Sequence, residues 1–119
     1  ELTLDYTKTR EQFGQALSKF QALQHRMVDT FMVHEQTKSL LLMAAAKMND
    51  KAADTSKSIS ALKYQIGSAA KLIGEESIQL HGGMGVTEEM SIGHYFKGLT
   101  TIRTIFGNSD YHLKRYSSL

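Results

Sequence analysis

The sequence predicts an all-α fold, an up-and-down four-helix bundle with short connections, and three observations carry that reading. Proline is absent from all 119 residues, which removes the commonest helix breaker. Apolar residues recur at three- and four-residue spacing over long stretches, the period of one helical face. Glycine turns at Phe13-Gly14, from Gln79 to Gly85, and at Phe106-Gly107 supply the breaks. No strand-like alternation of any length, low-complexity tract or internal repeat competes with this pattern.

Leu2 to Arg10 reads as the last turns of a helix that ends before Gly14. Ser18, with Gln21 three residues later, matches a capping box for the next helix. There the apolar residues Phe20, Leu23, Met27 and Phe31 set the face, and the run continues through Leu40 to Met48. Met27, Phe31, Met32, Met43 and Met48 are expected in the core. After the polar break Asn49-Asp50-Lys51, one of Asp54, Thr55 or Ser56 caps a further helix. Its stripe of Ile59, Leu62, Ile66, Ala69 and Ile73 runs on to Leu80. Gly67 and Gly74 inside it are expected to permit close helix contact, and Gly82 and Gly83 to stop it. Glu88 and Glu89 suit a helix N-terminus, and Ile92, Phe96, Leu99, Ile102 and Phe106 give the following face. Gly107 breaks that helix, and Asn108 or Ser109 caps a short final one with Asp110 in its first turn.

A chain of 119 residues is one domain by size, with room for a single core. It opens at Glu1 close to a helical pattern, so residues 1–119 are expected to be a fragment of something longer. The cysteine count of zero excludes disulfides, thiolate metal sites and cysteine nucleophiles, and is compatible with an intracellular, cytoplasmic location. No run approaches the roughly 20 apolar residues of a membrane span. Lys and Arg are interleaved with Asp and Glu at a net charge of +2, which argues against nucleic acid as a partner. His34-Glu35 lacks a second histidine at i+4, and His25, His81, His94 and His112 form no ligand pair with acidic support, so no metal site is expected. The serines include no nucleophile-elbow pattern.

The glycine turns carry what chemistry there is. Arg10 sets a guanidinium able to meet a phosphate bidentately beside Phe13, whose face could meet a planar ring. In Gln79-Leu80-His81-Gly82-Gly83-Met84-Gly85, three glycines in four positions allow left-handed angles and close approach to the backbone. Helix capping and ligand contact both remain open for each turn at this point.

Together these segments resemble the C-terminal helical domain of the acyl-CoA dehydrogenase family of flavoproteins. Arg10-Glu11-Gln12-Phe13-Gly14 is similar to the family's Arg-x-x-Phe-Gly motif, and Gln21-Ala22 follows at the usual distance. Gln79 to Gly85, with Thr87-Glu88-Glu89, is similar to its Gln-x-x-Gly-Gly-x-Gly signature. The resemblance covers essentially the whole chain. It implies the last of three domains, with an N-terminal helical domain and a middle β domain elsewhere. It also implies an FAD held between domains and across a subunit contact, in a homo-oligomer or a heteromer with a related subunit. On the resemblance, Arg10 contacts the pyrophosphate, Phe13 and Leu17 cover the adenine side, and Gln79, Gly82 and Gly83 approach the dinucleotide of the partner's FAD. The implied reaction converts an acyl-CoA thioester to the 2-enoyl-CoA, by proton removal at the α carbon and hydride departure from the β carbon.

One segment departs from the family. Where many members carry a catalytic glutamate in Tyr-Glu-Gly-Thr, this chain reads Phe106-Gly107-Asn108-Ser109, with Gly107 matched to the glutamate. No catalytic residue is therefore assigned. A base outside the fragment, or in a partner subunit, is expected in preference to Asp110. Ser109 stands in for the threonine at the nucleotide. A helical interaction module that never meets flavin is the competing reading.

Overall fold

A computed structural model describes residues 1–87 and 91–119. Its helices are α1 (Leu2–Thr9), α2 (Gln21–Asn49), α3 (Thr55–His81), α4 (Ile92–Ile102) and α5 (Ser109–Ser118). Between α1 and α2 lie two two-residue strands, β1 (Glu11–Gln12) and β2 (Gln15–Ala16), and a 3₁₀ turn at Leu17–Lys19. A second 3₁₀ turn, Gly82–Val86, follows α3. Glu88 and Glu89, expected at a helix start, lie outside the described residues.

The expected bundle is present, with α3 as its axis. Leu2 lies near Ile73 and Tyr6 lies on His81, so α1 runs parallel to the last turns of α3. Helix α2 runs the other way: Arg26 pairs with Glu76 at one end, and the Thr55 hydroxyl donates to the Lys47 carbonyl (2.9 Å) at the other. Helices α4 and α5 follow each other antiparallel to α3, and so share the fourth position of the bundle. Gly74 faces Phe96, Lys63 reaches the Ile102 carbonyl, and Arg115 reaches Ser56 and Ser60.

Small residues let these rods approach. Ala44, Ala69, Ala70, Leu80 and Ile92 are buried, and the expected stripe from Ile59 to Ile73 faces inward. A Cβ on Gly67 would overlap the Ser109 hydroxyl, and one on Gly74 would sit 3.1 Å from the Phe96 ring, so both glycines are contact points. The His112 ring, also buried, has its Nε2 2.9 Å from the Phe106 carbonyl.

Several expectations are corrected. Phe31, Met32, Met43 and Met48 are exposed, because α2 turns a different stripe inward, formed by Leu23, Met27, Thr30, Val33, Thr37, Leu40 and Ala44. Apolar residues on both sides of α2 made its spacing ambiguous. Ser18 does not cap α2. The N-cap position is Phe20, without a side-chain bond, and the Ser18 carbonyl accepts from the Gln24 amide at 2.8 Å. Helix α4 ends at Ile102, and Ile102 and Phe106 are exposed beyond the buried face of Ile92, Phe96 and Leu99. The absence of strands is corrected by the hairpin, whose register is Glu11 to Ala16 and Gln12 to Gln15. Its central residues Phe13 and Gly14 have φ of 54° and 81°, the φ signature of a type I′ turn. At the other end, Asn108 caps α5 as expected, its side chain accepting from the Tyr111 N–H at 2.9 Å.

Candidate functional site

Two turns far apart in sequence meet at one end of the bundle. Helix α3 stops at Gly82, whose φ of 59° and ψ of −143° lie in a region open only to glycine. The chain then winds through its 3₁₀ turn, closed by the Thr87 N–H on the Met84 carbonyl (3.2 Å). Opposite, α1 ends at Arg10, whose extended backbone turns the chain into the hairpin, and the Leu17 N–H returns to the Arg10 carbonyl at 2.8 Å.

Between them is an open hollow of about 490 Å³ lined by Tyr6, Arg10, Gln12, Leu17, Leu23, Gln79, Leu80, His81, Gly82, Gly83 and Met84. Five sequence-derived candidates, Arg10, Leu17, Gln79, Gly82 and Gly83, therefore share one site. Phe13 is beside it rather than in its wall. Its ring is 93% exposed on the hairpin tip, edge-on to Phe20 at 6.3 Å. Ser109 is elsewhere, with its hydroxyl 3.5 Å from the Tyr64 carbonyl and its side chain against Gly67, which lies about 18 Å along α3 from Gln79 at roughly 1.5 Å per residue. Gly107 belongs to that second location.

The sequence reading missed Tyr6 and the part played by His81. The buried His81 ring donates from Nδ1 to the Ser77 carbonyl (2.8 Å). Tyr6 stacks on that ring, with centroids 4.3 Å apart at 23°, and its hydroxyl donates to the His81 carbonyl at 3.3 Å. The stack joins α1 to the end of α3 and so holds the Arg10 and Gly82 turns against each other. No spacing rule could show it, because the partners are 75 residues apart.

The chemistry of this lining suits an anionic, ring-bearing ligand. Arg10 makes no ion pair among the described residues, Gln79 is an exposed amide, and Tyr6 and Leu17 are apolar surfaces. Among the described residues, a Cβ built on Gly83 meets nothing within 4 Å, and Gly83 has no positive φ. The described residues therefore place no demand for glycine there. A second hollow, of about 330 Å³ and lined chiefly by Leu2, Ile73, Tyr95, Phe96 and Leu99, offers no cationic side chain.

The profile of the acyl-CoA dehydrogenase C-terminal domain matches residues 1–117. The chain belongs to the acyl-CoA dehydrogenase family. It is 34% identical to acyl-CoA dehydrogenase IpdE2 of Mycolicibacterium smegmatis over 97% of this chain and 35% of that protein. Among solved structures, the FAD complex of PigA is similar at a TM-score of 0.90 and 28% identity, covering 98% of this chain and 30% of that one. The Tcur3481-Tcur3483 steroid ACAD gives a TM-score of 0.93 at 31% identity, with 98% and 32% covered. The chain thus spans about a third of the length of these relatives. No helix among the described residues is long and apolar enough to cross a membrane.

Proposed function

We propose that this chain is the FAD-contacting and oligomerising C-terminal domain of a longer, cytoplasmic acyl-CoA dehydrogenase-like flavoprotein that oxidises acyl-CoA thioesters to 2-enoyl-CoA. The observation that carries this reading is the convergence of Arg10, Leu17, Gln79, Gly82 and Gly83 on one hollow beside an open backbone. The PigA relative is described as an FAD complex, in keeping with it.

When bound, the flavin supplies the hydride acceptor. The residues of this chain bind and orient it. The Arg10 guanidinium neutralises the pyrophosphate, the Gln79 amide donates to the dinucleotide, and Gly83 admits it to within van der Waals distance of the backbone. Leu17 and the Phe13 ring cover the adenine side and exclude water. The hollow faces outward, as a contact to a partner subunit's nucleotide requires. Ser109, at the other location, is suited to the nucleotide of the chain's own subunit.

Proton removal from the α carbon needs a base, and the turn at Phe106 to Ser109 has no carboxylate. Matching Gly107, with its φ of 101°, to the family's glycine instead puts Phe106 at the glutamate's place, and this register also lacks a base. The base then comes from outside these residues or from a related subunit in a heteromer. The relative named as a pair, Tcur3481-Tcur3483, favours the heteromer as a second reading.

In the full-length protein, Arg10→Ala should weaken FAD retention by roughly tenfold or more, since a charge-assisted bond contributes about 1.5–3 kcal/mol. The unfolding temperature of the flavin-free protein should stay unchanged, because the Arg10 side chain is exposed. The flavin-to-protein absorbance ratio after dialysis measures the effect, and an unchanged ratio contradicts the assignment.

A further inference from the structure

The positions of the bundle are unequally filled. Helices α2 and α3 have 29 and 27 residues, and α4 and α5 share one position from Ile92 to Ser118, whereas α1 has eight. At roughly 1.5 Å per residue, α1 is about 12 Å long beside an α3 of about 40 Å. It lies in the lane between α2 and α4, where its Thr7 hydroxyl meets the Met27 sulfur (3.5 Å) and its Leu2 lines a hollow with Ile73, Tyr95 and Leu99.

The walls of that lane run on past Leu2. On α3 the floor is Leu80, Ile73, Ile66 and Ile59, one stripe at seven-residue spacing. Leu80, under α1, is 5% exposed, and the three isoleucines are only half-buried. On α2 the stripe that starts at Met27 continues at the same spacing through His34 to Leu41 and Met48, which are 52% and 58% exposed. On α4 the side that carries Tyr95 and Leu99 continues to the exposed Ile102. Apolar residues at this period are the imprint of a facing helix, because each seven-residue step returns to nearly the same side.

The hollow shows what completes the imprint. It measures about 330 Å³ and opens at the head of α1, against Glu1, Leu2 and Thr3 themselves, so the axis of α1 runs into the lane. We infer that the residues preceding Glu1 in the longer protein continue α1 as a helix of about four more turns, the span from Ile73 to Ile59, lying between Leu41 and Ile102. This rests on the function proposed above, in which a longer chain exists. A helix from a second copy would have to stop short at Glu1, and would leave the eight residues of α1 below the length at which a helix holds by itself. The continuation gives α1 that length, and so fixes the Arg10 turn at its other end.

Cysteine pairing in the full-length protein tests this, since residues 1–119 contain no cysteine of their own. Leu41 is two seven-residue steps beyond Met27 on α2, antiparallel to α1, so it should face the position about eight residues before Glu1. Leu41→Cys is combined in turn with a cysteine at each of about fourteen positions before Glu1 and oxidised with diamide. Disulfides should form within one chain, recur every three to four positions, and exceed those on the opposite side of the helix by at least roughly tenfold. Met48→Cys in place of Leu41→Cys should move the peak about seven positions further upstream. Non-reducing electrophoresis separates pairing within a chain from pairing between chains, and absorbance gives the flavin content of the same samples. A protein that keeps FAD but pairs without that period, or whose peak does not move, overturns the inference and leaves the proposed function standing. Pairing between chains overturns it as well and assigns the lane to a second copy. A wild type without FAD removes the proposed function, whichever way the cysteines pair.

Discussion

Gly82, Gly83 and Gly85 stand within one turn of each other, yet three different causes require or permit glycine. Gly82 is required by its φ of 59°, and Gly85 by the Ile78 carbonyl, 2.7 Å from where a Cβ would stand. Gly83 meets no such constraint among the described residues, which leaves it open to the ligand contact proposed above. Gly85→Ala should therefore destabilise the domain by about 1–3 kcal/mol, because backbone must shift, with any cofactor loss following from that. Gly83→Ala should change stability by less than about 0.5 kcal/mol while sharply reducing FAD retention in the full-length protein. Urea midpoints and flavin content, measured side by side, separate the two, and a Gly83→Ala protein that keeps its flavin removes the ligand explanation. The legible part of the site was its glycines, Arg10 and Gln79, because turn chemistry is local. The Tyr6–His81 stack that aligns them is a product of tertiary packing and leaves no trace in spacing.

At the level of elements, the extents of α2 and α3 and the capping of α5 by Asn108 were readable, since helical period and cap chemistry are written in neighbouring residues. The orientation of α2 was not, because Phe31, Met32 and Leu42 on its outer side are as apolar as Leu23, Val33 and Leu40 on its inner side. Two-residue strands are too short to show alternation. The α2–α3 corner allows a pH prediction. The Lys47 ammonium donates to the Asp54 carboxylate at 2.5 Å and holds its pKa below the usual carboxylate value. A depressed folded-state pKa adds stability above the unfolded-state pKa, and that stability is lost as pH falls through the folded-state value. Lys47→Met should thus be less stable than the wild type at neutral pH by a small margin, the pair being solvent-screened, and the margin should close in acid. Urea midpoints at neutral pH and below the carboxylate range test this, and a margin independent of pH would rule out the ion pair as its source.

The whole molecule is a rod of 56 × 25 × 22 Å with a radius of gyration of 16.9 Å. A compact chain of this length has a radius nearer about 13.5 Å. A narrow rod has much surface for its volume, and here α2 exposes Val28, Phe31 and Met32 in one group and Leu42 and Met43 in another, with Glu35, Lys38 and Ser39 between them. Two exposed apolar groups on one helix make it a candidate interaction face. If the domain oligomerises through α2, the purified 119-residue chain should associate in a concentration-dependent way. Phe31→Glu with Leu42→Glu should weaken self-association by at least roughly tenfold, since a carboxylate left unpaired in an apolar contact costs well over 1.4 kcal/mol. The same pair should leave helical content intact, because both side chains are exposed. Sedimentation equilibrium and circular dichroism of the two proteins decide it: a wild-type fragment that stays monomeric at all concentrations, or a double variant that associates as strongly, means that α2 is not the oligomerising face.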